Sequence, residues 1–127
     1  MKLIKLLMVV AVVSMMLLLE TLLFAEEVNI NKMVDAIFMA EGGYKATYLY
    51  GIRSISYKDE AEARQICYNS VRNNIKRWKN AGKPEGFISF MSRRYCPINA
   101  KNDPSGLNRH WVKNVKYYYE KEINYGS

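Results

Sequence analysis

Residues 30–44 read "INKMVDAIFMAEGGY", and the spacing of their apolar side chains decides how the rest of the chain is read. Ile30, Val34, Ile37 and Phe38 recur at i, i+4, i+7 and i+8, one apolar stripe along a helix. Asn29 or Asn31 supplies a side-chain oxygen for the first turn, and Gly42 and Gly43 supply a left-handed stop. The pattern therefore predicts a helix over 29–41. Glu41 falls next on the buried stripe, at i+11, so it faces inward. It also lies in the last turn, where the helix dipole is negative and disfavours an anion. Burial and dipole both push a carboxyl pKa upward. A carboxylic acid in that setting holds its proton near neutral pH and can donate it.

Downstream, residues 44–57 read "YKATYLYGIRSISY", rich in tyrosine and β-branched residues around Gly51. They are expected to form a loop or a short, irregular extended pair. From Asp59 the helical signal is strongest: Asp59 caps, Glu62 completes a capping box, and Ala63, Ile66, Cys67, Val71, Ile75 and Trp78 form an inner stripe. Gly82 and Pro84 end that helix. A shorter helix is expected over 85–95, with Phe87, Ile88, Phe90, Met91 and Tyr95, closed by the Cys96-Pro97 pair. The stretch "PINAKNDPSG" at 97–106 is a loop by composition. A last helix over 107–121 places Leu107, Trp111, Val115 and Tyr118 on one face. The fold class that follows is mainly α: four helices around one core, with one irregular or β excursion after the first core helix.

Upstream, residues 1–25 differ in kind. A basic start, "MKLIK", precedes an uncharged apolar run from Leu6 to Leu19, and "TLLFA" offers a cut after Ala25. The run is short for a membrane span, which needs roughly 18–20 apolar residues, and suits an export signal. Leu23 is larger than the residue preferred three positions before such a cut. Residues 1–25 therefore read as a signal peptide, or as an anchor if left uncleaved, and 26–127 as one domain. Without Lys2, Lys5 and Glu20, the 19 basic and 12 acidic residues leave a net charge of +6. A basic exported domain meets anionic polymers readily. Cys67 and Cys96 form an even pair, which in an oxidising compartment suggests one disulfide worth about 3.5 kcal/mol across its loop. The alternative is two buried free thiols. Two distant cysteines and the lone His110 do not make a metal-ligand set.

The order of these elements resembles the lysozyme-like superfamily, and within it the small exported lytic transglycosylases. The likeness spans about residues 30–120. It rests on a glutamate that ends the first core helix ("AEGG"), a tyrosine-rich excursion with "YGI", and the closing stretch "FISFMSRRYCP…NDPSGLNRHWVKNV". By that resemblance Glu41 is the catalytic acid, and Gly51-Ile52-Arg53-Ser54 stands where the family has Gly-Leu-Met-Gln. The methionine and glutamine of the family are missing. Tyr95 in "SRRYCP" matches, by order along the chain, a family tyrosine near the acid.

The resemblance implies cleavage of the bond between N-acetylmuramic acid and N-acetylglucosamine in peptidoglycan. Tyr44, Tyr50 and Tyr95 would assist binding, and Gly51 and Ile52 would line the groove through their backbone. Hydrolysing glycosidases add a second carboxylate, and the nearest downstream acids are Asp59 and Glu60, of which Asp59 is explained by capping. A transglycosylase needs only one, because the 6-hydroxyl of the muramic residue attacks and leaves a 1,6-anhydro sugar. No metal or organic cofactor is implied. The expected partner is the peptidoglycan glycan strand, at a site where the wall is opened for an envelope assembly machine. Membrane contact is expected only through an uncleaved amino-terminal segment.

The rival reading is a non-catalytic domain on the same scaffold that binds envelope polysaccharide. A basic helical nucleic-acid binder is a third, but no nucleic-acid motif is present and none is the expected partner. Arg64, Arg72, Lys76, Arg77 and Lys79 read as a solvated outer helix face, and His110 as a surface or structural residue. Arg93 and Arg94 offer charge for a peptide-stem carboxylate. Tyr117, Tyr118 and Tyr119 read as packing residues.

Overall fold

A computed structural model describes residues 1–23, 27–101, 103 and 105–121. The cut expected after Ala25 lies outside the described residues. The chain is mainly helical: α1 (Lys2–Leu23), α2 (Ile30–Ala40), α3 (Glu60–Asn80), α4 (Phe87–Tyr95) and α5 (Trp111–Glu120), with no strand among the described residues. The first helix is long and apolar enough to cross a membrane, its residues from Lys2 to Leu19 are solvent-exposed, and among the described residues it packs on none of the other elements. An amino-terminal helix of that kind is compatible with a signal sequence.

The domain is organised around α2. Met33, Val34, Ala36, Ile37 and Phe38 are buried there, and the helix lies mainly against α5, then against α3. Both ends of α2 are set locally. Asn29 caps the start, its side chain accepting the Lys32 N–H at 3.1 Å. At the other end Glu41 is the C-cap, its N–H bonded to the Ile37 carbonyl at 2.9 Å, and Gly42 turns left-handed at φ 104°. The α3 cap also forms: Asp59 accepts the Glu62 N–H at 2.9 Å. The Glu62 carboxylate reaches back to the Lys58 N–H, one residue before the cap. Arg64 of α3 pairs with Asp35 of α2 at 2.7 Å and tethers the two helices.

Three elements depart from the sequence expectations. The excursion after Glu41 consists of two 3-10 turns, Gly43–Lys45 and Leu49–Gly51, rather than a strand pair. The fourth helix starts at Phe87, two residues late, with Gly86 before it. The last helix is broken: Leu107–His110 is 3-10 and α5 begins at Trp111. Just upstream, the buried carboxylate of Asp103, 4% exposed, accepts the N–H groups of Asn99 (3.2 Å) and Asn108 (3.1 Å) and so ties the 97–106 loop to the start of that 3-10 turn.

The expected disulfide is corrected: both cysteines are free thiols. Cys67 is fully buried on α3, and its sulfur faces the Tyr95 hydroxyl at 3.8 Å. Cys96 is half-buried at the end of α4. Burial pushes both thiols up to about 12.

Candidate active site

Glu41 leaves the end of α2 and meets three other elements. The first is α5. The Trp111 indole N–H donates to Glu41 Oε1 at 2.8 Å, and the indole is itself 5% exposed. A buried indole needs an acceptor for its N–H, and this carboxyl provides it. The second is the turn Leu49–Gly51. Gly51 sits so close that a Cβ there would lie 2.7 Å from the Glu41 carboxyl carbon, and its φ of +68° also favours glycine. The third is the basic side chain of Arg53, whose charge attracts the carboxylate. Glu41 Oε2 has no protein hydrogen-bond donor among the described residues.

The electrostatics follow from that geometry. Burial raises the Glu41 pKa above its ordinary value of 4.5, while the Trp111 hydrogen bond and the Arg53 charge oppose the rise. The net direction is upward, as the sequence position of Glu41 predicts. The carboxyl is half-buried, with one oxygen fixed by an indole and the other without a donor among the described residues.

The backbone that carries Gly51 is held under strain. Tyr50 is left-handed at φ 56°, a conformation that costs a non-glycine residue about 1–2 kcal/mol. Its ring is 2% exposed and packs 5.1 Å from Phe38, and its hydroxyl reaches Arg64. Its carbonyl accepts the Tyr95 hydroxyl. The Tyr95 ring in turn lies 5.4 Å from Trp111. Core packing and two hydroxyl contacts thus fix the turn that presents Gly51 to Glu41.

A cleft of about 680 Å³ opens beside this corner, between the 51–55 stretch, α3 and the end of α4. Gly51, Ile52 and Tyr95 line it, so three of the candidate residues share one cavity; Glu41 is not among its lining residues and meets it only through Gly51. Ile52 is a nearly buried wall residue at 9% exposure. Two candidates need correction. Tyr50 belongs to the core, and no part of its ring is offered to a ligand. Tyr44 is exposed, stacks edge-on against Phe38 and donates its hydroxyl to Glu60 Oε1 at 3.1 Å; it does not line the cleft.

The basic residues of α3 also divide differently from a uniform outer face. Arg72, Lys76 and Lys79 are exposed. Arg64 is tied to Asp35, and Arg77 turns into the cleft, where the buried Asn74 side chain accepts from it at 2.6 Å. The 93–94 pair splits as well: Arg93 pairs with Glu85, while Arg94 lines the cleft. His110 is exposed and meets Arg109. Tyr118 and Tyr119 pack partly buried, and Tyr117 is exposed.

Trp111 and Arg53 are the site residues that sequence reasoning missed. Trp111 was visible as an inward-facing aromatic with an N–H to satisfy, but its acceptor lies 70 residues away. Arg53 carried no local signal beyond its place two residues after Gly51. Comparison with protein-family models, with curated proteins and with solved structures found no match.

Proposed function

We propose that the chain is an exported lytic transglycosylase acting on the glycan strands of peptidoglycan, with Glu41 as its acid and base. The observation that carries this reading is the Glu41 carboxyl itself. It is half-buried with a raised pKa, anchored at one oxygen by Trp111, and packed against Gly51, which lines the neighbouring cleft. Protonated Glu41 donates to the oxygen linking muramic acid to glucosamine as the C1–O bond breaks. Glu41, now ionised, takes the proton of the muramic 6-hydroxyl as that oxygen closes on C1. The sugar leaves as a 1,6-anhydro product and Glu41 is protonated again. The Arg53 charge and the Trp111 N–H stabilise the ionised form halfway through the cycle.

A one-carboxylate mechanism agrees with the surroundings. Asp59 is engaged in capping α3 and Glu60 accepts from Tyr44, so the nearest downstream acids have other partners. The amino-terminal apolar helix supports export. The non-catalytic polysaccharide binder remains the alternative, favoured by Arg53 and Ser54 standing where the resemblance has Met-Gln; both face the cleft. Incubation of the purified chain with murein sacculi, followed by mass spectrometry, separates the readings. Anhydro-muropeptides that disappear with Glu41→Gln support the transglycosylase. Reducing ends point to a hydrolase, and wall binding without release to the binder.

A further inference from the structure

The cleft beside Glu41 carries charge that sugar cleavage alone does not require. Arg53, Arg77 and Arg94 reach it from the excursion, from α3 and from the end of α4. No aspartate or glutamate is among its described lining residues. Elsewhere on the same helices, Arg64 is paired with Asp35 and Arg93 with Glu85, while Arg72 stands exposed. None of the cleft arginines forms an ion pair among the described residues, although the Arg53 charge still acts on Glu41. Arg77 is the most constrained. Its guanidinium donates to Asn74 Oδ1 at 2.6 Å and stands 5.2 Å from the Phe90 ring. Asn74 is 6% exposed, and its amide is fixed to the Ser70 carbonyl at 2.9 Å. Arg53 lies over the Tyr48 ring at 5.3 Å, and Arg94 has no hydrogen-bond or ion-pair partner among the described residues. A guanidinium held by an amide and a ring keeps its remaining donors for a ligand, and its planar fork matches a carboxylate bidentately.

We propose that Arg53, Arg77 and Arg94 form a carboxylate-binding subsite, so that the substrate is glycan bearing free carboxyl groups rather than a neutral N-acetyl sugar chain. The inference rests on the glycan reading of Glu41 and specifies its substrate. In peptidoglycan those groups come from two sources, the peptide stem and the lactyl ether of a muramic residue stripped of its peptide. The same field of positive charge draws the strand into the cleft and places the scissile bond at its Glu41 edge. A ligand carboxylate seated on Arg53 also screens that charge from Glu41.

The test is equilibrium binding by calorimetry with the full chain in neutral detergent. Three probes of equal length are used: peptide-bearing glycan, the same glycan stripped by an amidase, and a neutral chito-oligosaccharide. The peptide-bearing glycan should bind at least tenfold more tightly than the neutral chain, and the gap should shrink with salt. Arg94→Gln, at an exposed position, and Arg77→Gln should each close the gap about tenfold. Full retention by the stripped glycan assigns the carboxylate to the lactyl group, and loss assigns it to the stem; either outcome supports the subsite. Equal affinity for charged and neutral chains, unchanged by the arginine variants, overturns the subsite while leaving the glycan reading intact. Failure of all three glycans to bind overturns both. Displacement of bound glycan by a DNA duplex at lower concentration overturns the subsite in favour of a nucleic-acid surface.

Discussion

Two buried corners of this protein are each built around a carboxylate, and they are built in opposite ways. At the 97–108 loop, Asp103 is almost wholly buried and accepts two main-chain N–H groups, from Asn99 and Asn108. At the end of α2, Glu41 is half-buried and accepts one indole N–H, and its second oxygen has no donor among the described residues. Main-chain donors that converge on a carboxylate spend its acceptor capacity on the scaffold. A carboxyl with one anchor and burial on its other sides is oriented yet still able to exchange a proton. The difference separates a side chain that holds a loop from one equipped for chemistry. The two are neighbours along the chain, because the loop Asp103 holds leads into the turn before Trp111.

Breaking the Glu41 corner should have the largest effect. Glu41→Gln is expected to lower anhydro-muropeptide release by about 10³-fold or more, since acid and base are lost together. The fold should not suffer. Because the folded-state pKa of Glu41 is raised, the native state holds this proton more tightly than the unfolded chain does. Both states are protonated well below pH 4.5, and stability declines as pH rises from there through the folded-state pKa. The Gln variant has no such decline. Thermal melts should therefore coincide for the two proteins near pH 3.5 and favour the variant increasingly toward pH 7.

Gly51→Ala comes second. The added methyl group must displace the Glu41 carboxyl, and a shift on the order of 1 Å costs about 10²-fold in rate. The stability loss should be only about 1 kcal/mol, from the left-handed φ. Steady-state assays beside melting curves check that contrast.

Asp103→Ala should show the reverse pattern. Two main-chain N–H groups lose their acceptor, for a stability loss of about 2 kcal/mol. The Glu41 chemistry should persist at temperatures where the variant remains folded, and denaturant titration with activity measured in parallel reads both. The smallest of these effects is Trp111→Phe. It removes a hydrogen bond that lowers the Glu41 pKa, so the alkaline limb of the pH–rate profile should move to higher pH. An unmoved limb would mean that the indole packs against Glu41 without tuning it.

How far the sequence reveals this arrangement depends on the range of the interactions. Asn29, Asp59 and Gly42 act within a turn of their own position, so the bounds of α2 and the start of α3 were legible. Glu41 was legible too, because its inward direction follows from the stripe of its own helix. The rest of the site was set by pairings across the fold. Trp111 finds Glu41 from 70 residues away, and the Tyr95 hydroxyl finds the Tyr50 carbonyl from 45. Tyr50 looked like a sugar-stacking aromatic because tyrosines crowd that stretch. Its left-handed backbone turns the ring into the core instead, a conformation that composition does not announce. Arg64 looked solvated until its partner Asp35 was placed beside it. Asn74, a polar residue on the inner side of α3, broke the apolar stripe; its reason is Arg77, whose direction only the cleft explains. Asp103, buried within a loop that composition alone marks as solvated, ties that loop to the turn before Trp111, a contact the sequence does not announce.

Carbon-13 NMR of the protein with its glutamates labelled at the side-chain carboxyl, assigned through Glu41→Gln, follows the proton on Glu41 directly. A midpoint clearly above 4.5, moving further upward in Trp111→Phe, is the predicted result. A midpoint at or below 4.5 would contradict the assignment of Glu41 as the proton donor, and the sugar-cleaving reading with it.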